Sequence, residues 1–547
     1  MRIITYFKYL NSFFTSLTFK GKKNKSQKLL NSFGKLKDTS FNFELIEKYF
    51  KNKEHTKTLQ VISDKTCDDL DFEELFMFLD RTNSKIGQQH LYNKLRVISH
   101  EDGNLDVDEE LIAQFTNDSD FRVEVQIELE KLNGREAYFV SGLFQEEHLE
   151  QAKWFFVMRL LSFTSILSLI LLPFNPHMFL VLIGVFIINI CFHLWNKKNL
   201  STYSDSIPQL MVLKQVANNF LQDEQLKKLS PLLSESIKIL DQVRNRMLFF
   251  KLESKIEGDF QVIFWSFLEL FKILFLLEPL LLFGVLKRLD TRRKEIEEVF
   301  TFVGRIDALL SIASLRKGAD CCIPKIDEEN GQIKANKIYH PLLIDCVRNN
   351  ITVNDKSILL SGSNMSGKTS FIRAIGINVV TGLTINTCFA KSMVIPRTCI
   401  HSAIRISDDL MNDRSYYFEE VLTIKDMIDN ADKGTVNLFL LDEIFKGTNT
   451  VERISAGKAV LSALTRNNNR VFVSTHDIEL TDLLEDEYEL YHFSEIVSDK
   501  SVDFDYKLKE GKLKNRNAIR ILEINGYPDE IIEEAIALAT ELDRNRL

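Results

Sequence analysis

The chain has 547 residues, 45% hydrophobic and 27% charged. That is enough for about three to four domains with sizeable cores, and it excludes wholesale disorder. Its 41 Phe against 21 Gly and 9 Pro exclude collagen-like, mucin-like and linker-dominated chains. Residues 1–40 carry nine Lys/Arg and one acid, Asp38, so the net charge of −8 leaves the body at −16. Nucleic-acid binding by bulk charge is therefore not indicated, although a local basic surface stays open. Seven scattered Cys with no CxxC pair suggest reduced thiols in a cytosol-facing protein, not a disulfide scaffold or zinc site. The N-terminus has no secretory apolar region followed by a small-residue cleavage site.

In chain order, residues 1–40 form a basic arm that mixes Phe/Tyr with Lys. It reads either as a solvated tail or as an amphipathic arm on an anionic membrane surface. Residues 41–150 read as the first part of a helical core domain, with apolar spacing through Phe43–Phe50 and Leu70–Leu79. Residues 151–199 differ: Trp154–Leu172 is apolar except for Arg159 and small hydroxyls, and Met178–Trp195 has no formal charge. Pro173-Phe174-Asn175-Pro176-His177 breaks the two runs apart. Each would be about 27 Å long as a helix, close to a bilayer core. Two buried core helices are the alternative to a transmembrane hairpin. Lys153 and Arg159 lie at the start of the hairpin and Lys197-Lys198 follow it, so the positive-inside rule puts both ends in the cytosol at an inner membrane. Residues 200–330 read as the second part of the helical core. The apolar stretch Ile263–Leu286 within it is expected to be a buried or interfacial helix, because a third span would carry the nucleotide site away from cytosolic ATP.

Residues 331–547 alternate short apolar runs with helical segments, the pattern of an α/β domain. Gly362-Ser363-Asn364-Met365-Ser366-Gly367-Lys368-Thr369 fits G-x-x-x-x-G-K-[ST]. It follows the apolar run Ile358-Leu359-Leu360 and opens a helical stretch at Ser370, the context a P-loop requires. Backbone N–H groups there would wrap the phosphates of ATP, Lys368 would neutralise the β/γ-phosphates, and Thr369 would ligate Mg²⁺. Leu438–Leu441 leads into Asp442-Glu443, where Asp442 would hold Mg²⁺ through water and Glu443 would position or deprotonate the attacking water. A third apolar run ends in His476, suited to sensing the γ-phosphate. P-loop, Asp-Glu and terminal His in this order indicate an ABC-class ATPase.

The motifs also resemble those of the MutS family. Gly362–Ser370 is similar to its G-P-N-M-x-G-K-S-T loop, and His340-Pro341 to its H-P segment. Asp408-Asp409-Leu410 and Arg414-Ser415 resemble the D-D-L-x-x-G-R-S-T-F signature, with Glu420 at its later Glu. Gly447-Thr448 and Thr450 follow Asp442-Glu443 as in D-E-x-x-R-G-T-x-T, and Ser474-Thr475-His476 matches the T-H segment. Departures are Ser363 for Pro, Asp413 for the signature Gly, Tyr416-Tyr417 for Thr-Phe, and Glu452-Arg453 for Asp-Gly. Upstream, Ile62–Thr66, Leu79–Gln89 and Asp290–Leu315 resemble parts of the helical lever domain. No mismatch-reading domain, clear DNA clamp insertion or C-terminal nuclease-type domain is expected.

The resemblance implies an α/β P-loop NTPase domain of ABC/MutS type after a mostly α-helical core/lever domain, here interrupted by the hairpin. It implies a homodimer in which Ser415 of one subunit reaches the γ-phosphate held by Lys368 and Thr369 of the other. It also implies DNA as a partner. The function expected is a membrane-tethered ATPase that couples ATP-driven closure to lever movement. The alternative is a nucleotide-binding scaffold or membrane-partner regulator with little or no mismatch recognition, since Asp413 and Glu452-Arg453 fall near the implied composite site.

Overall fold

The computed structural model describes residues 24–56, 58–100, 105–149, 154–200, 203, 205–241, 268–328, 331–363, 365–405, 416–497, 502–513 and 518–544. The chain forms two compact units. One comprises Met1–Glu54, Asp80–Asn93 and Gly103–Lys317; the other comprises His55–Leu79, Lys94–Asp102 and Gly318–Leu547.

The first unit is helical. Among the described residues its longest helix is Arg293–Gly318, which buries a mainly apolar stripe from Ile296 to Leu315. Asp307 lies fully buried within that stripe and is satisfied by Asn83 N–H at 2.8 Å, Ser84 N–H at 2.7 Å and the Ser84 hydroxyl at 2.6 Å. A buried carboxylate persists only with such donors. The expectation of a solvated or membrane-surface arm is corrected for its later part. Residues 24–32 are helical, Leu29 is buried, and Lys37 reaches the buried Asp80 at 2.8 Å and Thr82 at 2.9 Å. The earlier part of the arm, residues 1–23, lies outside the described residues.

The two apolar runs form the helices Phe155–Leu171 and Met178–Leu200, which pack on each other. Among the described residues, Met178–Trp195 is the helix long and apolar enough to cross a membrane; Phe155–Leu171 is one residue shorter than such a span. Their polarity runs inside out. Ser162, Ser165, Ser168 and Asn189 are buried, whereas Phe156, Leu160, Phe163, Ile170, Leu180 and Ile187 are exposed. Only 17% of Met178–Trp195 is buried. Small hydroxyl-bearing residues at a helix interface, with large apolar groups outside, are the packing habit of helices in lipid. The Trp154 and Trp195 rings meet at the open end of the pair, tilted by 59° with centroids 5.1 Å apart.

Ile263–Leu286 is not one helix, contrary to the expectation. Residues 263–267 lie outside the described residues, and Leu276 has a left-handed backbone, φ 49°, where a new helix, Leu277–Asp290, begins. Pro279 in the first turn of that helix has no N–H to donate and fits there without loss. Leu276 and Phe283 pack with Phe155 and Met158. Beside this core sits a buried charge cluster. Lys272 Nζ lies 3.0 Å from Glu278 and 3.2 Å from Glu269, and His193 lies 3.3 Å from Glu269 and 3.4 Å from Glu278. Lys272 fills the centre of the cluster as its cation.

The second unit is built on a six-stranded sheet. Its order is Lys509–Glu510, Tyr488–His492, Ser357–Ser361, Arg470–Thr475, Asn437–Asp442 and Cys399–Ala403, parallel except for the first. Near-continuous burial along Ser357–Ser361 and Arg470–Thr475 marks strands covered on both faces. Helices Tyr416–Ala431 and Thr450–Leu464 cover one face through Ile424, Met427, Leu461 and Leu464. Helix Lys368–Ile385 packs against the sheet strands Asn437–Asp442 and Arg470–Thr475. A four-stranded sheet of Lys325–Asp327, Ser392–Pro396, Ile333–Ile338 and Asn349–Val353 completes the unit.

The boundaries differ from those read on the sequence. The second unit resumes at Gly318 rather than 331, and it takes in His55–Leu79 and Lys94–Asp102 from the stretch read as helical core. Strand Thr58–Val61 pairs with Val97–Ser99. The buried Asp69 carboxylate accepts from the Ser402 hydroxyl at 2.6 Å and from the Ile404 and Arg405 N–H groups at 3.0 and 2.7 Å. The Asp69 contacts join residues more than 300 positions apart, and no local periodicity encodes them.

Candidate nucleotide site

The parallel register brings three strand ends together. Ser474 sits beside Leu360 and Asp442, and Thr475 sits beside Ser361. The Ser357–Ser361 strand then enters the loop at Gly362, whose φ of 151° favours glycine; a Cβ there would lie 2.7 Å from the Phe493 carbonyl oxygen. Gly367, φ 103°, is the N-cap of helix Lys368–Ile385 with no capping side chain. The first-turn N–H groups are thus available to an anion.

Lys368 is buried, and its ammonium donates to the carbonyls of Gly362 at 2.9 Å and Ser363 at 2.8 Å. Burial lowers its pKa, and the carboxylates of Glu443 and Asp442 oppose that. Ser363 donates to Glu495 at 2.8 Å, so the residue standing where the family has Pro ties the loop to a neighbouring strand. Ser366 lies in the loop and Ser370 in the first turn of the helix, and Met365 is exposed at the rim with φ 66°. Asn364 lies outside the described residues.

Thr369 Oγ1 donates to Asp442 Oδ2 at 2.8 Å, and the Ser474 hydroxyl donates to the other oxygen. A hydroxyl and a carboxylate converging at the P-loop are hard oxygen donors that fit Mg²⁺. Glu443 follows in a left-handed conformation, φ 54°, which turns its side chain out of the sheet. Its N–H donates to Ser474 O at 3.1 Å. Glu443 Oε1 lies 2.6 Å from His476 Nε2, and Oε2 lies 3.2 Å from Lys446 Nζ. Burial pushes the Glu443 carboxyl up. The hydrogen bond and charge of His476, with Lys446, outweigh burial and hold its pKa at about 2. Lys368 Nζ stands 3.5 Å from His476 Nε2. Lys368, Thr369, Asp442, Glu443 and His476 therefore converge at the strand ends.

Beside them opens a cavity of about 580 Å³, lined by the P-loop, Glu443 and residues with no motif of their own: Tyr339, Ile344, Phe493 and Tyr506. Sequence reasoning missed these four because their spacing follows no rule. His340 also lines it; burial, aided by the Arg373 charge, lowers its pKa to about 4, so it is neutral at physiological pH. Glu420 is buried and accepts the Phe445 N–H, supporting the turn after Glu443 rather than entering the cavity. Ser415, with Asp408–Arg414, lies outside the described residues. The departing pair is well placed. Glu452 accepts from Thr448 Oγ1 at 2.9 Å, and Arg453 forks onto Asp477 at 2.8 and 2.6 Å.

Residues 358–543 match the family model described as MutS domain V. The chain is also similar to the DNA mismatch repair protein MutS of Aquifex pyrophilus, 28% identical over 264 residues, which is 46% of this chain and 30% of that protein. The MutS proteins of Oceanobacillus iheyensis and Methanosarcina acetivorans are 28% and 26% identical over 265 and 279 residues, 45% and 48% of this chain. This chain spans 30% of the length of each of these relatives. The likeness is thus to a MutS-type ATPase region.

Proposed function

We propose that the protein is a membrane-tethered, MutS-type ATPase that binds ATP with Mg²⁺ and works as a homodimer. The convergence of Lys368, Thr369, Asp442, Glu443 and His476 at the ends of three adjacent parallel strands carries this reading. Thr369 and Asp442 would hold Mg²⁺, which supplies charge neutralisation at the β/γ-phosphates. Lys368 and the first-turn N–H groups bind the phosphates. Glu443, ionised at neutral pH, orients a water and takes its proton, and His476 fixes Glu443 from the far side. Ser415 of a second subunit would complete the site, as closed two-fold symmetry allows.

The inside-out polarity of Phe155–Leu171 and Met178–Trp195 supports a hairpin in the inner membrane, with the ATPase unit in the cytosol. DNA mismatch repair is what the relatives are named for, and DNA is the first partner to test. The replacement of the signature Gly by Asp413 favours a second reading, a nucleotide-dependent scaffold or membrane-partner regulator, because it adds negative charge where a γ-phosphate is expected. Purified protein in detergent, assayed for ATP hydrolysis with duplex, mismatched and branched DNA, separates the two. Stimulation by any of them supports the repair reading, and intrinsic hydrolysis indifferent to all three supports the regulator. Absence of both binding and hydrolysis would overturn the ATPase reading.

A further inference from the structure

The loop carrying Glu443 and the loop carrying His476 are tied by an ion pair that neither adjoining helix requires. Arg453 sits near the start of helix Thr450–Leu464, where positive charge opposes the helix dipole. Asp477 occupies the N-cap position of Ile478–Leu483, which favours Asp as a cap, yet its side chain makes no capping bond. Each residue gives up a local advantage, and the two meet in a two-pronged contact, Nε–Oδ2 at 2.8 Å and Nη2–Oδ1 at 2.6 Å. Such a fork fixes orientation as well as distance. Asp477 directly follows His476, and Arg453 lies on the helix that begins where the Glu443 loop ends. Neither side chain lines the nucleotide cavity.

We propose that Arg453 and Asp477 are positioning residues for hydrolysis, holding the His476 loop against the Glu443 loop so that His476 Nε2 stays on Glu443 Oε1. The inference rests on the ATPase reading above. It explains why the chain carries Arg at a position where the resembling motif has Gly: the contact replaces local flexibility with a clamp between two loops.

The test compares hydrolysis and binding by the full-length protein in detergent. Displacement of a catalytic group by about 1 Å costs up to about 100-fold in rate. Arg453→Met and Asp477→Asn are therefore expected to lower kcat about 10- to 100-fold while labelled-ATP affinity stays within about three-fold. Arg453→Lys, which keeps the charge but loses the fork, should fall between them and wild type. Combining Arg453→Asp with Asp477→Arg should recover part of the lost kcat, which a general loss of folding would not. Wild-type kcat in Arg453→Met, an equal loss of ATP affinity, or no recovery in the swapped pair overturns the inference. A wild type that binds ATP without hydrolysing it, and that Glu443→Gln leaves unchanged, overturns the ATPase reading itself.

Discussion

Replacing Glu443 by Gln removes the charge on which hydrolysis depends and little else. With a pKa near 2, the carboxylate is ionised at any working pH, so the proton-accepting form is always present. The amide keeps an oxygen for the His476 contact now at 2.6 Å, but it cannot take a proton. General-base assistance is worth about 10²- to 10⁴-fold, about 3–5 kcal/mol of barrier. The loss of folding stability is smaller. Two partly exposed contacts, to His476 and Lys446, contribute at most about 1 kcal/mol each after solvent screening. Hydrolysis should therefore fall at least about 100-fold while the protein stays folded and binds ATP. Single-turnover hydrolysis with labelled ATP, alongside equilibrium binding, checks both halves. Wild-type turnover would remove Glu443 from the mechanism. Complete loss of ATP binding would mean that the carboxylate shapes the pocket instead.

Three further outcomes follow from the packing. Lys272→Met leaves Glu269 and Glu278 facing each other without their cation and should cost about 3–5 kcal/mol, read as a lowered thermal midpoint in detergent; an unchanged midpoint would show that the cluster is hydrated. His340 titrates at about 4 when folded against an ordinary 6.5, so the unfolded chain binds the extra proton first and stability falls as pH drops from about 6.5 to 4. By that shift the loss reaches about 3 kcal/mol, and His340→Asn should flatten this part of the stability–pH profile, measured by thermal shift at pH 5 and 7. A cysteine placed within Phe174–His177, with Cys191 replaced, should react with an impermeant thiol reagent outside intact cells; protection there, with labelling only after lysis, would reverse the proposed topology.

The sequence alone determined what is local. G-x-x-x-x-G-K-T between an apolar strand and a helix, the Asp-Glu at a strand tip and the terminal His are each contiguous, and their backbone geometry follows from a few residues. That residues 155–171 and 178–200 form two helices was legible for the same reason, because a run of apolar residues needs no partner to declare itself.

The remaining features depend on residues far apart in the chain. The parallel register put Ser474 beside Asp442, and that decided which hydroxyl holds the second oxygen of the carboxylate. The Asp69 carboxylate found its donors at residues 402–405, which moved a stretch read as helical core into the nucleotide unit. At Leu276 one apparent helix is split: Leu276 is buried with the distant Phe155 and Met158, and Pro279 stands in the first turn of the helix that follows. Arg453 read as a departure from a motif until Asp477 appeared at its fork. Side-chain pairs of this kind are chosen by packing and desolvation, which act through space, whereas motifs and periodicity act only along the chain.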